Sequence, residues 1–181
     1  FYSKFIQFSH CLFLSCIKGL GCLSKCESCC WTFAAKASGA GILKGEPFRI
    51  LPIGTFFRQG FFDDEPRKIK IDKVMCAETV KHFDAGIPRF RVSINLDHNH
   101  FDGKVGTITK LEARSDGLYG YAELTEEGKE AIESGSYDAV SAEMAWNNGG
   151  YDFGYLDPQS GSKFSPVMVG VALTPIPFFG H

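Results

Sequence analysis

The sequence predicts a β-dominated α+β domain. Apolar residues alternate with period two through most of the chain, two segments carry helix caps instead, and glycine, proline and an Asp-Gly turn separate the segments. With 181 residues, 44% of them hydrophobic, the chain can bury one core, since domains run from about 50 to about 250 residues. A formal charge of −2 and the lack of any long Lys/Arg run leave no basic field, so no nucleic acid is expected as a partner.

Strand signals open at 48–54 (FRILPIG) and continue through the aromatic stretch 55–60 (TFFRQG). Asp72 caps a helix running to Phe83, with Val74, Met75, Val80 and Phe83 near helical spacing and Gly86 then Pro88 stopping it. In 91–97 (RVSINLD), Val92, Ile94 and Leu96 share one face of a half-buried strand, and Asp97-His98-Asn99-His100 lies at its end. Two β-rich runs, 105–114 and 117–124, flank Ser115-Asp116 as a hairpin. Thr125 caps a short helix over 126–134, with Glu126 and Glu127 at the positive end of its macrodipole. The chain returns as a strand at 138–146 (DAVSAEMAW) and ends with another at 167–173 (VMVGVAL), beyond which Pro175 and Pro177 prevent regular pairing. No internal repeat is present.

Residues 1–46 differ in composition. Six of the seven cysteines (Cys11, Cys16, Cys22, Cys26, Cys29 and Cys30) fall there. The apolar run 5–23 is broken by Gln7, Ser9, His10, Lys18 and two glycines. It falls short of the ~18 uninterrupted apolar residues of a membrane helix and lacks the unbroken core of a secretion signal. No membrane partner is expected. The cluster Cys22, Cys26, Cys29, Cys30 has thiolates close enough to share zinc but no second well-spaced pair. We read 1–46 as a Cys-rich leader and linker, disordered or not native, flexible over 34–45. We read 47–181 as the functional domain, with truncation at its C-terminal end left open. Cys76, alone in that domain, is expected as an inert buried thiol in a reducing compartment.

Ser141 sits in the alternating strand after the short helix. Most such serines are only strand residues, because a hydroxyl is weakly nucleophilic until a base takes its proton. His98 and His100, two apart at an extended strand end, point to one side and suit either a base or a metal. A metal would need more ligands, for which Asp97 and Asp102 are the nearby carboxylates and His82 the remaining imidazole outside the termini. A purely structural, hydrogen-bonding turn is the plain alternative.

The order of motifs is more specific than any one of them. FRILPIG (48–54), a helix, Asp97-His98-Asn99-His100, Val105-Gly106-Thr107-Ile108, Asp116-Gly117-Leu118-Tyr119, Leu124-Thr125-x-x-Gly128, YDAVSAE (137–143) and Val171-Ala172-Leu173-Thr174-x-x-Pro177 follow one another. This series resembles the prohead maturation proteases of tailed phages, especially the phage Mu-type protease and scaffold family. The resemblance implies an assemblin-like β-barrel with surrounding short helices, and a serine endopeptidase that needs no cofactor or metal. It also implies Ser141 as nucleophile and His100 as base, with His98 competing for that role. Implied substrates are the phage scaffold protein and major capsid protein, and the chain itself by self-association, inside the immature prohead in the host cytoplasm. Some relatives place an acid in the last strand, but Met168-Val169-Gly170-Val171 has none. The group that orients the imidazole stays open among Asp97, Glu143 and His98. Strand parity puts Glu143 on the side of Ser141 but about 7 Å along, far for a direct bond to the same ring. Oxyanion donors are expected at the Asn148-Gly149-Gly150 turn. Two alternatives differ in class: a non-catalytic capsid-assembly or scaffold protein of the same fold, and a small metal-dependent hydrolase using the Asp-His-Asn-His loop.

Overall fold

A computed structural model describes residues 31–36, 39–58, 67–147 and 153–175, with side chains over 41–57, 68–147 and 153–175. In chain order these residues form β1 (Trp31–Lys36), α1 (Gly39–Leu43), β2 (Phe48–Pro52), β3 (Gly54–Arg58), β4 (Arg67–Ile71), α2 (Lys73–Asp84) and β5 (Ser93–Leu96). Then follow β6 (Gly106–Arg114), β7 (Gly117–Leu124), α3 (Glu126–Glu133), β8 (Ala139–Ala145), β9 (Tyr155–Leu156), β10 (Lys163–Phe164) and β11 (Val167–Thr174).

Seven strands form one sheet in the order β1-β8-β11-β5-β6-β7-β2, and its two edges, β1 and β2, come into contact. The result is a nearly closed β-barrel-like sheet with a few short helices, as expected for a β-dominated α+β chain. Only β5 and β11 run parallel; the other neighbours in the sheet are antiparallel. Closure leaves little free sheet edge for another chain to pair with.

Both helices with sequence-level caps form where the caps place them. Asp72 accepts from the Met75 amide at 3.0 Å and Thr125 from the Gly128 amide at 3.2 Å, each satisfying an amide that has no partner within its helix. Gly86, at φ +72°, then turns the chain away from α2. Ile50, Leu51, Ile94, Leu118, Val140 and Met144 are almost fully withdrawn from water in one core. Each such side chain contributes on the order of 2 kcal/mol by burial alone.

Three differences from the sequence reading have physical causes. First, the stretch read as linker contributes β1 and α1; β1 pairs along its whole length with β8, so the sheet supplies a partner that local composition does not reveal. Second, the strand expected over 48–54 ends at Pro52, and the next strand joins a separate ribbon with β4. Proline has no amide for the ladder, and Ile53 N instead donates to Asp116 O at 2.9 Å. Third, β4 was not anticipated; its alternation of Lys68 and Lys70 with Ile69 and Ile71, both isoleucines buried, carries the signal. The cysteines of 1–30 and the Asn148-Gly149-Gly150 turn lie outside the described residues.

Candidate active site

Strand β8 is buried throughout, yet its two faces have different chemistry. Val140, Ala142 and Met144 enter the core, while Ser141 and Glu143 point to the other side, as period two requires. Register extends that second face across the sheet: Ser141 stands opposite Ala172 of β11, which stands opposite Asn95 of β5. One step along, Glu143 stands opposite Gly170. Ser141, Glu143 and Asn95 are buried, at 4%, 6% and 1% exposure, and polar groups withdrawn this far from water need partners.

Glu143 and the Asn95 amide nitrogen find theirs in the turn after β5. Asn99 N donates to Leu96 O at 2.8 Å, and the two residues between, Asp97 and His98, both have positive φ, 50° and 61°. That pair of signs is that of a type I′ turn. Left-handed backbone costs a non-glycine residue roughly 1–2 kcal/mol, and the surroundings offset it. Asp97 N donates to Leu173 O at 2.9 Å, Tyr137 Oη donates to Asp97 Oδ2 at 3.2 Å, and Phe101 N donates to Asn99 Oδ1 at 3.0 Å. Asn99 Nδ2 also donates to Asp102 Oδ2. The strand end is therefore a tight turn rather than the extended segment expected from the sequence.

This turn brings both imidazoles to Glu143. His98 Nδ1–H donates to Glu143 Oε1 at 2.6 Å, and His100 Nε2 stands 3.3 Å from Oε2. Asn95 Nδ2–H donates to His100 Nδ1 at 3.2 Å, while Asn95 Oδ1 is buried without a partner. The two rings thus differ. An amide N–H can only donate, so His100 Nδ1 spends its lone pair on Asn95. A neutral His98, donating from Nδ1, keeps the lone pair of Nε2 for another proton. Gly170 makes room for this arrangement: a Cβ there would overlap Glu143 Oε2.

Of the predicted site residues, the structure brings His98 and His100 together on Glu143 and puts Ser141 two residues from Glu143 on the same strand face. Among the described residues Ser141 Oγ makes no hydrogen bond to either ring. Strand parity set Glu143 about 7 Å along β8 from Ser141, and the turn seats both rings at Glu143. Asp97 and Asp102 bond to Tyr137 and Asn99 instead. No three His, Cys, Asp or Glu side chains gather as metal ligands among the described residues. Sequence reasoning missed Asn95; its place opposite Ala172, and so in line with Ser141, appears only with the register. Cys76 is buried, and burial pushes its thiol up to about 11, in keeping with an inert thiol.

No helix of the described residues is long and apolar enough to cross a membrane. Comparison with curated proteins and with solved structures found no match. The family described as Mu-like prophage I protein, N-terminal domain, matches residues 48–152, a span holding His98, His100, Ser141 and Glu143. That span is more than half of the chain, which therefore belongs to the Mu-like prophage I protein family, a family of phage proteins.

Proposed function

We propose that the chain is a serine endopeptidase that cleaves phage scaffold and capsid proteins, and itself, during prohead maturation in the host cytoplasm. The observation that carries this reading is the His98–Glu143 hydrogen bond at 2.6 Å, two strand residues from Ser141, with His98 Nε2 left to accept a proton. A carboxylate on one ring nitrogen fixes the tautomer and stabilises the imidazolium that forms when the other nitrogen takes the serine proton. Glu143 is then the orienting acid and His98 the base. His100, the base favoured from sequence, braces Glu143 from the second side, since both its nitrogens face partners.

In the reaction, His98 Nε2 takes the Ser141 Oγ proton as Oγ attacks the substrate carbonyl. The tetrahedral intermediate collapses as His98 returns the proton to the departing amine. Water then hydrolyses the acyl-enzyme by the same exchange in reverse order. Membership of a phage protein family supports phage structural proteins as substrates. Burial of the acid also supports the chemistry, because a charge–imidazole interaction is stronger out of water.

The test is intact-mass spectrometry of the chain co-expressed with its neighbouring scaffold and capsid proteins. Discrete products should vanish in Ser141→Ala and His98→Ala and persist, more slowly formed, in His100→Ala. A serine-directed phosphonate should label Ser141 in the wild type. Products that disappear only with His100→Ala would return the base to that residue. Uncut partners around a folded, assembled and unlabelled wild type would leave a structural capsid-assembly role instead.

A further inference from the structure

The sheet face that carries Ser141 continues well beyond it. From Glu143 it passes to Gly170, then to Ser93 of β5, Thr107 of β6 and Glu123 of β7; Ser93 is placed opposite Gly170 because Ile94 pairs with Val171 in parallel register. Gly170 and Ala172 carry almost no side chain, so the floor beside the candidate catalytic groups is low. At the end of β8 the face is covered. Ala145 and Val167 pack there against Ile87, with Tyr155 and Phe164 of the β9–β10 ribbon over them. A wall formed by the 86–91 loop and that ribbon therefore runs along one side of the floor.

Between the loop and β6 the sheet opens. Strand β5 begins only at Ser93, whereas β6 continues to Arg114, and the last bond holding them is Ile108 N to Val92 O at 2.9 Å. The gap is a cavity of about 410 Å³. Phe83, Pro88, Phe90, Val92 and Ile108 give it apolar lining and Arg91, Thr109 and Glu123 polar lining, with Thr107 at the side facing Glu143. Phe90 stands at its rim, half exposed and held edge-on against Tyr155. An exposed aromatic at the rim of a cavity has area to gain when a ligand covers it.

We propose that this cavity is the specificity subsite of the protease, and that it receives a large apolar side chain of an extended substrate polypeptide. The inference rests on the proposed activity for its substrate class and on the sheet register for its place. Thr107 lies three strand spacings from Glu143, about 14 Å, and an extended peptide covers that in about four residues. The selected side chain is therefore three or four residues from the scissile bond. A pocket of this size accepts phenylalanine, leucine or methionine, and because Arg91 and Glu123 both line it, a charged side chain of either sign meets a like charge beside its partner and gains no preference there.

The experiment uses the full chain and acetylated ten-residue peptides, alanine-based, in which one phenylalanine, leucine or lysine is walked through every position. Cleavage is followed by mass spectrometry. Binding to the Ser141→Ala chain is followed by the amide shifts of Thr107 and Ile108. Phenylalanine or leucine three or four residues from the cut should raise kcat/KM about ten-fold or more over alanine, and lysine should not. Thr107→Trp, which fills the mouth, should erase that preference while phosphonate labelling of Ser141 continues; Phe90→Ala should weaken it without affecting the fold. Cleavage with no positional preference, and no amide shifts, overturns the subsite and leaves the protease standing. If the wild type neither cleaves nor labels, the protease reading falls, and the amide shifts alone decide whether the cavity binds apolar peptide: shifts from phenylalanine peptides uphold it and their absence ends it.

Discussion

Glu143 and Asp157 are both carboxylates withdrawn from solvent, and their partners separate their roles. Asp157, fully buried, receives Arg89 Nε at 3.2 Å and Nη2 at 3.1 Å, Ser160 Oγ at 2.8 Å and its own loop through Gln159 N at 3.2 Å. The Arg89 hydrogen bonds in the first place, with Ser160 and the Gln159 amide, hold its carboxyl down to about 2. A guanidinium keeps its charge at any pH that a protein meets, so this pair has one state and serves to tie the 157–162 loop to the segment after α2. Glu143 is held by two imidazoles, each of which can give or take a proton at a ring nitrogen. One buried acid is locked and the other is poised. Burial of a charge alone therefore does not mark a catalytic residue; the protonation freedom of its partner does.

The strongest way to break this comparison is to neutralise the poised acid. Glu143→Gln keeps the shape of the side chain but removes the charge that orients His98, so kcat/KM should fall by about three to four powers of ten. The melting midpoint should stay near wild type. An equal loss in Glu143→Gln of folding and of turnover, read by calorimetry beside peptide cleavage, would make Glu143 a structural acid like Asp157.

A second variant reaches Glu143 from across the strand pair. Gly170→Ala puts a methyl where Oε2 lies, and the carboxylate must swing or the β11 bulge at Met168/Gly170 must shift. A displacement on the order of 1 Å costs about a hundred-fold in a positioned catalytic group. Turnover should drop by ten- to a hundred-fold, with substrate binding nearly unchanged. A rise in KM with constant kcat would show that the methyl obstructs the floor and leaves the acid in place.

Gly170 also shows where the sequence was readable and where it was not. Alternation and caps identify β5, β8, β11, α2 and α3 because those signals are local: Asp72 and Thr125 cap the helices assigned to them, and Ser141 lies on the strand predicted for it. The Ser115-Asp116 hairpin has the same local origin. What failed was non-local or conformational. Strand β1 is a strand because β8 lies beside it, and nothing in residues 31–36 announces that partner. The glycine at 170 looked like a gap where an acid should be, yet its empty side chain is what admits the acid from β8. The left-handed pair Asp97 and His98 lies in backbone that L residues seldom adopt, so two-residue spacing suggested an extended strand and hid the turn that seats both rings on Glu143. Asn95 read as one polar residue in a strand until register set it in line with Ser141.

The locked acid gives a pH test. Its folded value is depressed from the ordinary 3.8 to about 2. Its stabilising contribution is thus complete above about pH 4 and is lost as pH falls through about 2. Asp157→Asn should lower the melting midpoint at neutral pH while Ser141 still labels at the wild-type rate. The gap between wild type and Asp157→Asn should hold steady down to about pH 4 and close between pH 4 and pH 2. A gap that persists at pH 2 would assign the loss to packing of the 157–162 loop rather than to the charge.

The smallest effect expected lies between the two acids in character. Tyr137 Oη donates to Asp97 Oδ2 at 3.2 Å and so braces the turn whose second left-handed residue is His98. Removing one hydrogen bond of this kind costs about 1 kcal/mol, and Tyr137→Phe deletes it without opening a void. The turn carries the base, so the loosening should appear in catalysis as well: kcat a few-fold lower and the melting midpoint only slightly reduced. Combining Tyr137→Phe with Glu143→Gln distinguishes the routes. If Tyr137 acts only by presenting His98 to Glu143, it has nothing left to present once the acid is gone, and the double variant should be no slower than Glu143→Gln alone. Additive losses would mean that the turn also positions something besides the imidazole, and the neighbouring exposed Phe101 is the first side chain to truncate in that case.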